Sequence, residues 1–85
     1  MSKWDKIYEQ VTDERGTFDF NIRFKDLVGL MERLGYKKDQ RSGSHVVFRK
    51  GGAQVANLQA KGKWMAKHYQ VRQVREFLKT EEHAS

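Results

Sequence analysis

The apolar residues of this chain change their spacing at Gly35. Upstream, Phe24, Leu27, Val28, Met31 and Leu34 recur at helical intervals and make one stripe. Asp26 lies in the first turn of that predicted helix, where it suits the dipole, and Gly35 follows the last apolar residue, where a left-handed cap is expected. Gly29 falls inside the helix and off the stripe, which reads as surface tolerance more readily than as close packing. Downstream the pattern is that of strands. Tyr36 to Arg41 is a polar candidate, and Ser42-Gly43-Ser44 is a turn signal. His45 to Lys50, centred on Val46, Val47 and Phe48, is the better strand. Gly51-Gly52 makes a hairpin link to a short third strand, Val55 to Leu58. Links this short force neighbouring strands antiparallel.

Helices are expected on either side of this centre. From Ser2 to Val11, Trp4, Ile7, Tyr8 and Val11 form a stripe, with Ser2 as N-cap and Asp5 completing a capping box. A helix of this length needs to dock on the body to persist. Thr12 to Thr17 reads as a loop, and the alternation of Phe18, Phe20 and Ile22 predicts an extended segment on the core. Gln59 to Lys67 reads as a basic loop. Tyr69 to Lys79 predicts a last helix, with Val71, Val74, Phe77 and Leu78 inward and Arg72, Arg75 and Lys79 outward. The expected fold is α+β: one domain over residues 1–85, with an N-terminal helix and extended segment (1–22), an α-β-β-β-α body on a three-stranded antiparallel sheet (23–80) and a frayed tail (81–85).

Composition limits the chemistry. With no cysteine there is no thiolate nucleophile, no disulfide and no Cys-based zinc site, and a reducing, cytoplasmic setting fits. No apolar run is long enough to span a membrane, and the opening Met-Ser-Lys-Trp-Asp is unlike a secretory signal. The net charge of +6 conceals an uneven distribution: −2 over residues 1–32, +10 over 33–79 and −2 over 80–85. Such a basic stretch is either an ordinary solvated surface or a face for a polyanion.

Within that stretch His45 opens the middle strand. Alternation puts His45, Val47 and Arg49 on one face, and Arg41, just before the turn, can approach it. A titratable imidazole beside fixed cations suits RNA cleavage: a base takes the 2′-hydroxyl proton and cations steady the charge on the phosphate. On spacing alone, an exposed histidine with no role is the simpler reading. Trp64 stands among Lys61, Lys63 and Lys67. Either a base stacks on it while the lysines hold phosphates, or it folds back with Met65 as a lid over the sheet edge. The lid is the weightier alternative, because a chain this short needs its large apolar groups, and Tyr69 is expected in the core for the same reason. His68 and His83 do not share metal-ligand spacing with His45, so neither a metal nor a cofactor is expected.

The run Gly43-Ser44-His45-Val46-Val47-Phe48, after a helix ending Leu34-Gly35-Tyr36, resembles the HicA family of toxin ribonucleases. Asn57-Leu58-Gln59 and Tyr69-Gln70-Val71-Arg72-Gln73-Val74-Arg75 resemble a longer branch of it, which also carries an N-terminal helix. The likeness runs in order through about residues 1–79, although His68 stands where that branch more usually has proline. The resemblance implies a body like a double-stranded-RNA-binding domain. It implies a metal-independent mRNA interferase of a toxin–antitoxin system, blocked by a HicB-type antitoxin through which any oligomer would form. It makes His45 the catalytic residue, with Gly43 and Ser44 shaping its turn. Arg41, Arg49 and Lys50 are then expected near the phosphate, and Lys61, Lys63, Trp64 and Lys67 along the RNA. Two other classes compete: a module that grips RNA by shape without cutting it, and an inactive remnant whose basic face meets an acidic partner.

Overall fold

The computed structural model of the chain describes residues 2–42, 45–51, 53–62 and 64–84, side chains at 40–42, 53–55 and 81–84 excepted. Among the described residues the order is α1 (Lys3–Thr12), one 3-10 turn (Asp19–Asn21), α2 (Phe24–Arg33), β1 (Lys37–Ser42), β2 (His45–Lys50), β3 (Ala53–Lys61), β4 (Met65–Ala66) and α3 (His68–Ala84). This is a small α+β domain with an antiparallel sheet, as the change of period predicts.

The expected three strands are four, in the order β1-β2-β3-β4. Of residues 59–67, expected as a loop, those described instead finish β3 and return as β4. Gly62 takes φ 66°, a conformation other residues enter at a cost, and the chain turns there. Ala66 then pairs with Ala60 and Met65 with Lys61. The other edge of β4 is used too: Ala66 N–H donates to Ile22 O at 2.9 Å and Phe24 N–H to Trp64 O at 2.8 Å. The short strand thereby ties the sheet to the entry of α2.

One face of the sheet supplies Val46, Phe48, Ala56 and Leu58 to the core, against Leu27, Leu30 and Met31 of α2 and Val71, Val74 and Leu78 of α3. Leu30 is buried although it lies outside the expected stripe, whereas Leu34 ends the helix and is exposed. Both α1 and the sheet cover α2, so its buried face is wider than one stripe. At the helix end Gly35 takes φ 95° and Tyr36 N–H closes back on Met31 O at 3.1 Å, the expected left-handed exit.

α1 begins as its sequence predicts. Asp5 N–H donates to Ser2 Oγ at 3.2 Å, and Ser2 N–H donates to Asp5 Oδ2 at 3.4 Å. Val11 is fully buried, and Trp4, Ile7 and Tyr8 pack on the core. The Cη2 edge of the Trp4 indole abuts Gly29, so that glycine serves close helix packing rather than surface tolerance.

Two further expectations are corrected around one buried ion pair. Arg75, expected outward, is buried; its Nη2 donates to Asp19 Oδ1 and its Nε to Val11 O at 2.9 Å. Asp19 is therefore drawn inward and Phe20 is pushed out, so 18–21 form turns rather than the expected extended run; only Ile22 goes to the core. α3 also runs on to Ala84, beyond the expected end at Lys79.

Candidate functional site

β2 alternates about the sheet. Val46 and Phe48 enter the core, while His45, Val47 and Arg49 lie on the face away from the helices. Register brings particular β3 residues beside them: His45 stands opposite Gln59, and Val47 opposite Asn57. Asn57 and Gln59 thus share the His45 face. His45, half-buried, donates from Nε2 to Asn57 Oδ1, its diagonal neighbour. With the amide oxygen toward the ring, Nε2 carries a hydrogen, so in the neutral tautomer the free lone pair is on Nδ1.

The β3 segment that carries Asn57 and Gln59 is held from behind. Its outer edge meets β4 only from Ala60 onward. Before that point the Gln70 side chain, buried at the start of α3, substitutes for a strand. Gln70 Oε1 accepts from Gln59 N–H at 2.8 Å, and its Nε2 donates to Asn57 O at 3.4 Å. One amide therefore satisfies a backbone donor and a backbone acceptor, one from each of the two residues flanking Leu58.

A cation joins this end of the sheet. Lys67 Nζ donates to Gln59 Oε1 at 3.1 Å, which places an ammonium beside the residue opposite His45. The backbone of Arg41 also comes here: β1 is irregular between Gln40 and Ser42, and Ser42 pairs with His45. The Arg41 side chain lies outside the described residues, as do Gly43, Ser44 and Lys63 altogether.

The other expected cations are elsewhere. Arg49 is four residues along β2, about 13 Å from His45 at strand rise, and its Nε is 3.8 Å from Asp39 Oδ2. Lys50 turns to the helix side, where Nζ lies 5.1 Å from the centroid of the Tyr36 ring. Arg49 and Lys50 therefore do not share a phosphate-sized site with His45. Lys61 is exposed at the end of β3. Trp64 is 69% exposed, which discards the lid: the segment does fold back as β4, but the indole points outward. Tyr69, expected in the core, is 51% exposed.

The cluster of His45, Asn57, Gln59 and Lys67 can position an imidazole base beside a cation on an open surface. Asn57, Gln59 and Gln70 escaped the sequence reading as site residues. Gln70 did leave a trace, since it lies four residues before Val74 and hence on the inner stripe of α3 as a polar residue. Among the described residues no three His, Asp or Glu side chains gather as a cation cage, and no helix is long and apolar enough to cross a membrane. Compared with protein-family models, curated proteins and solved structures, the chain matches none.

Proposed function

We propose that the protein is a HicA-like endoribonuclease toxin that cuts mRNA with His45, in the cytoplasm, under the control of a HicB-like antitoxin. On this reading residues 23–80 correspond to the double-stranded-RNA-binding-domain-like body of that family, with β4 added at the edge of its three strands. The observation that carries the reading is the hydrogen bond from His45 Nε2 to Asn57 Oδ1 on the open sheet face. It leaves Nδ1 as the proton acceptor. Nδ1 takes the 2′-hydroxyl proton, the 2′-oxygen attacks the adjacent phosphorus, and the 5′-oxygen leaves and is protonated from the imidazolium or water. Lys67, anchored on Gln59, meets the growing negative charge. The +10 stretch and the Gly43-Ser44-His45 run supply further support.

Cleavage of single-stranded RNA in EDTA, wild type beside His45→Ala, tests the assignment. Loss of at least about 100-fold in rate is expected for the variant. Equal cutting by the two proteins overturns the role of His45. Regulated expression in a bacterium should arrest growth for the wild type and spare cells carrying His45→Ala. Tight RNA binding by purified wild type without cleavage or arrest would favour the non-catalytic RNA-binding module, for which the exposed Trp64 and its lysine neighbours also speak.

A further inference from the structure

An exposed aromatic surface lies beside the candidate site, and the fold, not the sequence order, assembles it. Phe20 is 65% exposed, pushed out by the inward turn of Asp19. Its ring stacks on His68, the first residue of α3, with centroids 4.4 Å apart and planes 19° from parallel. His68 meets Tyr69 edge-on at 5.7 Å. Phe20, His68, Met65, Ala66, Gly62 and Lys61 line one shallow hollow, and Trp64 is exposed on the turn that borders it. None of these rings is needed to fill the core.

On the β3–β4 side the charges beside the rings have one sign, whereas on its other side Phe20 borders a hollow that holds the carboxylates Glu14, Asp19 and Glu76 beside Arg15, Arg72 and Lys79. Residues 59–69 contain Lys61, Lys63 and Lys67 and no carboxylate. Lys67 Nζ lies 5.8 Å from the Tyr69 ring centroid and is also the group bonded to Gln59, opposite His45. The hollow begins at Lys61, two residues along β3 from Gln59, about 7 Å further at strand rise. Lys67 and the end of β3 thus connect the aromatic surface to the His45 cluster.

We infer that this surface is a stacking platform for unpaired bases of single-stranded RNA next to the bond held at His45. Flat, exposed rings offer a face to any base, and interleaved lysines hold the phosphates between them. A protein partner fits less well, because lysine is depleted at the centre of protein interfaces. A duplex fits less well too, because its bases are already stacked. The inference rests on the reading of the protein as an RNA-binding nuclease and deepens it: the substrate is single-stranded on one side of the cut.

Binding is measured by fluorescence anisotropy with labelled oligo(U) and with a labelled RNA duplex, using full-length protein carrying His45→Ala so that nothing is cut. Trp64→Ala and Phe20→Ala should each weaken oligo(U) binding about ten-fold and change duplex binding much less. Their slope of log affinity against log salt should stay that of the parent, since stacking releases no counterions, whereas Lys61→Gln and Lys67→Gln should flatten it. Phe20→Leu, which keeps apolar bulk but no ring, should behave like Phe20→Ala. Unchanged oligo(U) affinity in the ring variants, or equal losses on both RNAs, overturns the platform and leaves the surface to a protein. Separate cleavage assays on the His45 wild type keep the two readings apart. Cutting that survives Trp64→Ala and Phe20→Ala at wild-type rate, together with unchanged binding, sinks the platform and leaves the nuclease standing. Ring-dependent oligo(U) binding without cutting sinks the nuclease and leaves the platform standing.

Discussion

Asn57 accepts the Nε2 hydrogen of His45 across the β2–β3 pair, although the residue directly opposite His45 is Gln59. The diagonal bond orients the ring and places a hydrogen on Nε2. Asn57→Ala should lower kcat about ten-fold, the worth of one ordinary hydrogen bond, and leave KM nearly unchanged. Asn57→Asp keeps an acceptor in place and should recover most of the rate. A loss confined to KM, or no rescue by aspartate, would show that Asn57 does not act through His45.

Gln70→Ala removes a partner from Gln59 N–H and from Asn57 O together. A stability loss of about 1–3 kcal/mol in urea unfolding is expected, because no neighbouring strand covers that stretch of β3. Gln70→Glu keeps the acceptor for Gln59 but buries a carboxylate oxygen against Asn57 O, so at neutral pH it should destabilise at least as much as alanine.

A Cβ placed on Gly29 would run into Trp4 Cη2, with Cζ3 only 3.0 Å away. Alanine is worth about 1 kcal/mol more than glycine in a helix interior, so propensity alone predicts that Gly29→Ala stabilises. The clash predicts the reverse, a net loss of about 1–3 kcal/mol as α1 is pushed from α2. Adding Trp4→Leu should make the alanine nearly neutral or favourable. A stabilised single variant would refute the packing account.

The Arg75 and Asp19 side chains are each 5% exposed. Removing one partner leaves the other buried and uncompensated, so Arg75→Met and Asp19→Leu should each cost about 3–5 kcal/mol. The double variant should cost much less than the two added together. Strict additivity in a double-mutant cycle would mean that the pair is not coupled.

Glu14 bonds Lys79 at 2.5 Å, and that hydrogen bond, then the ammonium charge, lowers its carboxyl pKa below the ordinary value of 4.5. A lowered folded pKa stabilises fully above the ordinary value, and the gain disappears as pH falls through the folded one. The Tm gap between wild type and Glu14→Gln should therefore be present at neutral pH, close in acid, and shrink in high salt because the carboxylate is exposed. A gap that persists in strong acid would place its origin outside this pair.

Local pattern was enough for the elements whose cause is local. The Ser2–Asp5 box, the Gly35 exit and the strand at His45–Lys50 each follow from neighbours in the chain, and each stands where periodicity and capping put it. The residues 18–22 and 59–67 did not follow. An alternation of apolar residues says nothing of a carboxylate whose partner is 56 positions away, and the Asp19–Arg75 pair overrode it. A basic loop carries no sign of an edge strand whose second partner is the backbone of Ile22.

The candidate site divides in the same way. His45, its face of β2 and the concentration of positive charge were readable from spacing and count. That Asn57 holds the ring, that Gln70 holds Asn57 and Gln59, that Lys67 rather than Arg49 or Lys50 comes to this end, and that Phe20 stacks on His68 were not. Periodicity reports which way a side chain faces, because that depends only on the backbone repeat. Which side chains meet depends on strand register and on how distant segments close over one another, and those are settled by packing of the whole core.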